Sequence, residues 1–352
     1  MVRHFYRVAA ALVLGTALSL AASAQLAPSP DAPPVSNAPA QPVDDQPVAT
    51  FKVSVNLVDQ FFTVTDKHGE LIPHLTRNEC SIAEDNVPQT IKNFTAETNL
   101  PLTLGIMLDT SGSQQYVLPL EQQAGDQFLR DVLRSKDEAF LLSFDVNVDL
   151  LQDYTNSASQ LARAMDKAQI NTAGGNGAAG IPGLGGGTVP VYGTPKGTLL
   201  YDAVYLATTQ KLADQTGRKA LIILTDGEDQ GSKTTIKEAV ASAQRSNAMI
   251  YVILIADTGF YGNYGMGYSG YSAAKQLAQD TGGRVINVGN NGNKLAAAFQ
   301  QIADELRSQY ILTYTPTNAK LDGTFRRITL QCSGQDLRIH TRKGYYAPLA
   351  GN

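Results

Sequence analysis

The chain has 352 residues, of which 43% are hydrophobic and 17% are charged. At about 100–200 residues per domain, this length allows two or at most three domains. The composition excludes a fully disordered, collagen-like or coiled-coil chain. The formal net charge is −4, so no basic excess indicates a nucleic-acid partner. Two cysteines and four histidines without ligand spacing argue against a zinc site or a disulfide scaffold.

The N-terminal segment 1–24 has the pattern of a secretory signal peptide. Arg3 and Arg7 lead into an apolar run of about 15 residues, which ends in the small residues Ala22-Ser23-Ala24. A membrane anchor is the alternative, but a bilayer-spanning helix needs about 20 apolar residues. We therefore expect cleavage, export to the periplasm or the extracellular space, and no stable membrane span in the mature chain.

Residues 25–49 form a proline-rich stretch with almost no large apolar side chain. Such a segment cannot bury enough apolar surface to offset the entropy that ordering would cost. We predict a disordered, extended linker here and assign no binding role to it.

Residues 50–98 predict a small all-β unit. Short runs of β-forming residues are separated by the turn sequences Asp66-Lys67-His68-Gly69 and Glu84-Asp85-Asn86-Val87-Pro88. Residues 309–347 return to the same character, with β-type runs at 310–314, 324–332 and 337–341. Because the C-terminal strands are too few to fold alone, we expect them to pack with the N-terminal unit in one sandwich.

Residues 99–308 predict a doubly wound, mainly parallel α/β sheet of the Rossmann-like kind. Continuous apolar runs, typical of strands buried on both faces, alternate with segments of helical period. The runs are 102–108, 139–144, 220–224, 249–255 and 284–288, and the helical segments are 117–133, 157–168, 199–212, 235–245, 272–279 and 294–306. We expect this domain to be inserted in, or flanked by, the small all-β sandwich. In such sheets, ligands bind beyond the carboxyl ends of the strands.

Three polar elements lie where those strands and the helices after them meet. The first apolar run ends in Asp109-Thr110-Ser111-Gly112-Ser113, Thr198 opens a helix, and Asp226 follows the run 220–224. Carboxylate and hydroxyl oxygens are hard ligands that suit Mg²⁺, which usually keeps some of its waters. The alternative is a polar turn in which the first aspartate only caps a helix.

Together these elements resemble the von Willebrand factor type A (VWFA) domain with its metal-ion-dependent adhesion site. The resemblance covers about residues 101–306 and depends on D-x-S-x-S, a later threonine and T-D-G in that order. It implies that Asp109, Ser111, Ser113, Thr198 and Asp226 hold Mg²⁺, or Mn²⁺ or Ca²⁺, directly or through water. It also implies an open metal position that takes an Asp or Glu carboxylate from a protein partner.

The whole mature chain is similar to a secreted bacterial group related to that domain and frequent in acidobacteria. The similarity includes the two turn sequences given above and Gly344-Tyr345-Tyr346. The chain departs from the group in an expanded glycine-rich stretch at 173–187, which affects the placement of Thr198. It also has Gln114 where a methionine is frequent, a change that we expect to have little effect.

The two cysteines lie in the predicted sandwich. In the runs 80–82 and 328–332, an alternation of period two places Cys80 and Cys332 on the face of their apolar neighbours. A disulfide that closes a loop of about 250 residues is compatible with an exported protein. Two unpaired buried thiols are equally compatible, because the sequence does not give the distance between them.

From these observations we expect an exported, metal-dependent adhesion or scaffolding module without enzymatic activity. A structural envelope component without a functional metal site is one alternative. A hydrolytic enzyme is the other, but the sequence has no P-loop lysine motif, and no histidine follows the residues 267–271 before His340. The glycine motif 265–270 lies too far beyond its strand for a dinucleotide site.

Overall fold

The computed structural model describes residues 57–96, 100–171, 197–256 and 269–350. The predicted signal peptide 1–24, the linker 25–49, the glycine-rich stretch 173–187 and most of the motif 265–270 lie outside these residues. Among the helices described, none combines the length and the apolar character needed to cross a bilayer.

The described part of the chain alternates between strands and helices largely as predicted. The strands are β1 (Val58–Thr65), β2 (Cys80–Glu84), β3 (Val87–Gln89), β4 (Ile91–Ala96), β5 (Leu102–Asp109), β6 (Glu138–Phe144), β7 (Val148–Thr155), β8 (Arg218–Thr225), β9 (Ala248–Leu254), β10 (Val285–Asn287), β11 (Tyr310–Tyr314), β12 (Phe325–Cys332), β13 (Arg338–Thr341) and β14 (Gly344–Tyr346). The helices are α1 (Leu118–Val132), α2 (Ala158–Met165), α3 (Leu200–Leu206), α4 (Ile236–Arg245), α5 (Gly270–Thr281) and α6 (Gly292–Arg307), and a π-helical turn, Ala207–Leu212, continues α3.

A six-stranded sheet in the order β10-β9-β8-β5-β6-β7 forms the centre of the α/β part. All neighbours pair in parallel except β6 and β7. Strands β5, β6 and β7 follow one another from the middle of the sheet to one edge. The next strand in the chain, β8, pairs with the other side of β5. The order of the chain therefore reverses between β5 and β8.

Helices cover both faces of this sheet, because its central strands are apolar on both sides. Every residue of β5 and all but one of β8 are buried. Helices α1, α2 and α6 pack on one face, and α3, α4 and α5 pack on the other. Gly105 in the middle of β5 allows this packing, since a Cβ there would lie 2.5 Å from Cζ of Phe140 and 2.6 Å from Cδ1 of Leu221.

Two four-stranded sheets form the sandwich, in the orders β13-β1-β11-β4 and β14-β12-β2-β3. Each sheet combines strands from both ends of the described chain, and they share one apolar core. Within it, the rings of Phe62 on β1 and Tyr310 on β11 stack with centroids 5.2 Å apart. The predicted fold class is thus confirmed: a doubly wound, mainly parallel sheet lies between the two sequence halves of a β sandwich.

The two cysteines form a disulfide bond. Cys80 on β2 lies directly opposite Cys332 on β12 in an antiparallel pair, with 4.0 Å between the Cα atoms. Of the two alternatives that the sequence left open, the structure contains the bonded form.

Three strands were not predicted from the sequence. Strand β3 begins inside the predicted turn Glu84-Asp85-Asn86-Val87-Pro88, because the turn itself is confined to Asp85 and Asn86, which both have positive φ. The edge strand β7 has only half-buried and exposed residues, so it lacks the apolar run that marked the central strands. Strand β14 has three residues, which is too short for an alternation to be recognised. All three depend on pairing with a neighbour: β3 with β2, β7 with β6 and β14 with β12.

Candidate metal centre

The carboxyl ends of β5 and β8 bring the two predicted aspartates to one edge of the sheet. Asp109 is the last residue of β5, and Asp226 directly follows Thr225, the last residue of β8. The strands pair in parallel with Leu108 opposite Leu224, so both chains leave the sheet side by side. The order of the chain reverses here, and ligands bind at such positions in doubly wound sheets.

The loop after β5 carries the two predicted serines and turns back toward Asp226. A 3₁₀ turn, Gly112–Gln114, places Oγ of Ser113 3.1 Å from Oγ of Ser111. The Ser113 hydroxyl donates to Oδ2 of Asp226 at 2.5 Å, and the backbone N–H of Ser111 donates to Oδ1 of Asp109 at 3.0 Å. Four of the five predicted ligands therefore form one hydrogen-bonded cluster.

Asp109 is fully buried at the base of this cluster. Its Oδ2 accepts a hydrogen bond of 2.6 Å from the hydroxyl of Thr225, and its Oδ1 accepts one from the backbone N–H of Ser111. Both of these donor groups are uncharged. Burial raises the pKa of Asp109 to about 7, and the negative charge of Asp226 contributes to this increase, while the hydrogen bonds oppose it. A divalent cation at this position would compensate two carboxylates that water no longer solvates.

Thr198, the fifth predicted ligand, is buried at the same edge of the sheet. Its carbonyl accepts a hydrogen bond from the N–H of Gln230, in the segment after β8, at 2.8 Å. The next residue, Leu199, donates its N–H to the carbonyl of Asp145, which follows β6, at 2.8 Å. These bonds hold the backbone of Thr198, and the role of its hydroxyl as a metal ligand stays a prediction.

Gln114 also belongs to the hydrogen-bonded cluster, and the sequence did not predict this role. Its side chain is buried, and Nε2 donates to Oδ2 of Asp226 at 3.1 Å. The sequence predicts little effect from a glutamine at a position where methionine is frequent in the related group, and no observation tests that effect. The structure gives this residue a hydrogen bond to a predicted ligand, and the only sequence signal was a polar residue at that position.

Asp145 is a second polar residue that the sequence reasoning missed. Its Oδ2 accepts a hydrogen bond of 2.8 Å from the hydroxyl of Thr110, inside the D-x-S-x-S loop. Its Oδ1 accepts from the N–H of Asn147 at 3.0 Å and from the amide of Asn171 at 3.1 Å. The buried carboxylate of Asp145 therefore links the loop after β5 to the end of β6 and positions the serines indirectly.

The turn after Asp226 packs tightly against the start of α5. Gly227 has φ of +83°, and a Cβ on it would lie 2.4 Å from the carbonyl oxygen of Gly270. Glu228 accepts hydrogen bonds from the N–H groups of Ser269, at 2.5 Å, and of Gly270, at 2.8 Å. This glutamate caps the helix, and the glycine of the T-D-G motif is needed for the close approach of the two backbones.

The donor set of this cluster fits a hard cation. Two carboxylates and three hydroxyls supply only oxygen atoms, the ligands that Mg²⁺, Mn²⁺ and Ca²⁺ prefer. In the described ranges, no group of three or more His, Cys, Asp or Glu side chains is arranged to hold a metal ion. The candidate centre therefore depends on serine and threonine oxygens as well as on carboxylates.

No protein-family model matches this chain, and no curated protein matches it in sequence. Among solved structures, BatB, a conserved hypothetical protein from Bacteroides thetaiotaomicron, is similar at 16% identity with a TM-score of 0.41, over 58% of this chain and 98% of BatB. The vWF domain of the type V pili tip protein Mfa5 from Porphyromonas gingivalis is similar at 14% identity with a TM-score of 0.40, over 58% of this chain and 94% of that domain.

A third solved structure is proximal thread matrix protein 1 from the mussel byssus, with a zinc-occupied MIDAS motif. It is 13% identical with a TM-score of 0.44, over 62% of this chain and 48% of the mussel protein. This chain thus spans about half the length of that protein. At such similarity, the assignment of the fold depends on the sheet order and helix placement of this chain itself.

Proposed function

We propose that this protein is an exported, metal-dependent protein-binding module of the adhesion or scaffolding type. Asp109, Ser111, Ser113, Thr198 and Asp226 would hold a divalent cation, with Mg²⁺ as the first candidate. The cation would leave one position open for the carboxylate of an Asp or Glu in a protein partner. The observation that supports this most is the hydrogen-bonded cluster that joins four of these residues where the order of the chain reverses.

The charge balance of the cluster agrees with such a role. Two aspartates neutralise one divalent cation, and the remaining proposed donors are uncharged hydroxyls. A bound cation would supply Lewis-acid affinity for an incoming carboxylate, because Mg²⁺, Mn²⁺ and Ca²⁺ all prefer anionic oxygen ligands. The residues of the chain orient the hydroxyls and exclude water from the side that faces the core.

Exposed aromatic side chains near the cluster supply contact area for a partner. Tyr116, three residues after Ser113, is 71% exposed. Tyr271 is 48% exposed and follows Gly270, which packs against the backbone of Asp226. Tyrosines with an apolar ring and a polar hydroxyl are enriched in protein interfaces. They are the side chains we would expect to surround a captured carboxylate.

We propose that the module does not turn over a substrate. A serine nucleophile needs an adjacent base, most often a histidine. The hydroxyls of Ser111 and Ser113 are hydrogen-bonded within the cluster, and His68, His74 and His340 belong to the sandwich strands and their loops. Export is supported by the Cys80–Cys332 disulfide, since such bonds persist in oxidising compartments.

The first experiment is thermal unfolding of the mature chain in Mg²⁺, Mn²⁺, Ca²⁺ or chelator, with Asp109→Ala beside the wild type. A ligand at 100 times its dissociation constant adds about 2.7 kcal/mol to the free energy of unfolding. We expect the metal to raise the Tm of the wild type and not that of Asp109→Ala.

Asp137→Ala is the matched control. Asp137 is also buried, but it accepts hydrogen bonds from the N–H groups of Leu102 and Arg134 at the opposite edge of the sheet. This variant should lose stability and still respond to metal. A wild type whose Tm is the same in metal and chelator would contradict the proposal and favour a structural component without a functional metal site.

A further inference from the structure

Glu121 is a buried acidic residue that the five proposed ligands do not include. It lies in the first turn of α1, and its exposed fraction is 0%. Neither of its carboxylate oxygens has a hydrogen-bond partner. Burial of a carboxyl group without a partner is unfavourable, so such a group in a native fold calls for an explanation.

The carboxyl group of Glu121 lies within electrostatic reach of the candidate metal centre. Burial raises the pKa of Glu121 well above its ordinary value, and the negative charges of Asp109 and Asp226 raise it further. Helix α1 begins directly after the serine loop, and two successive backbone bonds of 3.0 Å, from Val117 to Gln114 and from Glu121 to Val117, join them. The backbone between Gln114 and Glu121 is therefore continuous with the loop that carries the proposed serine ligands.

Gln114 is a second residue with an unpartnered buried oxygen. Gln114 donates its amide to Asp226, but its Oε1 is buried without a hydrogen-bond partner. Gln114 and Glu121 lie on the loop and the helix that follow Asp109, and they add unpaired acceptor oxygens to this part of the chain. A hydrated cation supplies the partners that such oxygens lack, because both the ion and its waters bind to acceptor oxygens.

We propose that Glu121 is a third carboxylate of the metal centre, which adds negative charge to the centre without ligating the ion. This inference rests on the proposed function, since it assumes that the cluster binds a cation. The three acidic side chains are not placed to hold an ion directly between them. Glu121 therefore acts through water and through its charge, and it replaces none of the proposed ligands.

This role has a consequence for the partner. Three carboxylates with one divalent cation leave a net negative charge, whereas two leave none. Glu121 should therefore strengthen the retention of the metal and weaken the attraction of the metal for a partner's carboxylate. The competing explanation is that Glu121 is a neutral glutamic acid that only fills space in the core. In that case a glutamine of similar size would replace it without an effect on metal binding.

The test is a Mn²⁺ titration of the mature chain, with free Mn²⁺ measured by electron paramagnetic resonance, for the wild type, Glu121→Gln and Glu305→Gln. Glu305 is a matched control, because it is also buried but pairs with Arg284 at 2.6 Å. We expect Glu121→Gln to weaken Mn²⁺ binding at least tenfold and Glu305→Gln to leave it unchanged. In chelator, the Tm of Glu121→Gln should equal or exceed that of the wild type, because one of three mutually repelling carboxyl groups is gone.

The outcomes separate this inference from the proposed function. If the wild type and Glu121→Gln bind Mn²⁺ equally, the proposed role of Glu121 is wrong, and the proposed metal site of five ligands still stands. If the wild type binds no Mn²⁺, the proposed function fails, and this inference fails with it. Should Glu121→Gln not fold, Glu121→Leu is titrated in its place, and wild-type affinity in that variant would equally overturn the inference.

Discussion

Ser113 donates a hydrogen bond of 2.5 Å to Oδ2 of Asp226, which lies 113 residues further along the chain. Ser113 is in the loop after β5, and Asp226 is in the turn after β8. The bond therefore joins the two halves of the doubly wound sheet where the order of the chain reverses. Neither motif could form this contact without the parallel pairing of β5 with β8.

Replacement of Ser113 by alanine should weaken metal binding at least tenfold. The variant loses one proposed metal ligand and the donor that orients Asp226. In chelator it should also lose about 1 kcal/mol of stability, the usual contribution of one hydrogen bond in a protein. Mn²⁺ titration and urea unfolding of the same samples measure both effects.

Ser246→Ala is the control for this prediction. Ser246 is also buried, and its hydroxyl donates to the carbonyl of Ala243 at 3.1 Å, after α4 and away from the cluster. Its loss should lower stability by a similar amount and leave metal affinity as it was. Equal metal affinities of the two variants would argue against Ser113 as a ligand.

The Cys80–Cys332 disulfide should contribute strongly to stability. It joins residues 252 positions apart, and the bond restricts the unfolded chain more as the closed loop becomes longer. The double variant Cys80→Ala and Cys332→Ala should lose about 3–5 kcal/mol in urea unfolding. The wild type with a reducing agent present should approach the double variant, and equal midpoints for the oxidised wild type and the variant would contradict the prediction.

His340 should make the sandwich sensitive to acid. Burial lowers the pKa of His340 to about 4 from an ordinary value of 6.5, and the positive charges of Arg284 and Arg338 contribute. Between pH 6.5 and pH 4, the unfolded chain binds a proton that the folded chain does not, so stability is lost as the pH falls. We expect about 1–2 kcal/mol from this group, after allowance for its partial exposure.

His340→Gln removes the titrating group from β13 and tests the prediction. Urea unfolding from pH 4 to pH 8 should show a smaller loss of stability in acid for the variant than for the wild type. Above about pH 7.5 the two curves should run parallel, because the histidine is then neutral in both the folded and the unfolded chain. Parallel curves across the whole range would show that His340 does not cause the acid sensitivity.

Much of the fold was accessible from hydrophobic periodicity. Strands β5, β6, β8 and β9 are buried on both faces, so they appear as continuous apolar runs, and helices such as α1 and α6 bury a single face. Strand β7 was missed because its exposed edge needs no apolar run. The return of the C-terminal strands to the N-terminal unit was predicted because three strands alone could not bury a core.

The candidate site was predictable where its residues are local in sequence or end a recognisable strand. Asp109, Ser111 and Ser113 occupy one turn, and Asp226 follows a buried run. Gln114, which donates to Asp226, and the buried Glu121, which we propose as a third carboxylate, were not predictable from the sequence. A helix of the same period buries or exposes a glutamate according to what packs over that face, and only the packing of α1 decides this.

The sequence by itself therefore determined the element types, the fold class and the positions of the motif, because these depend on local periodicity and on residue spacing. The tertiary structure decided which distant residues meet: Ser113 with Asp226, and Cys80 with Cys332. Those encounters follow from strand pairing and helix packing, which sum small contributions over the whole core and leave no mark in any short stretch of sequence.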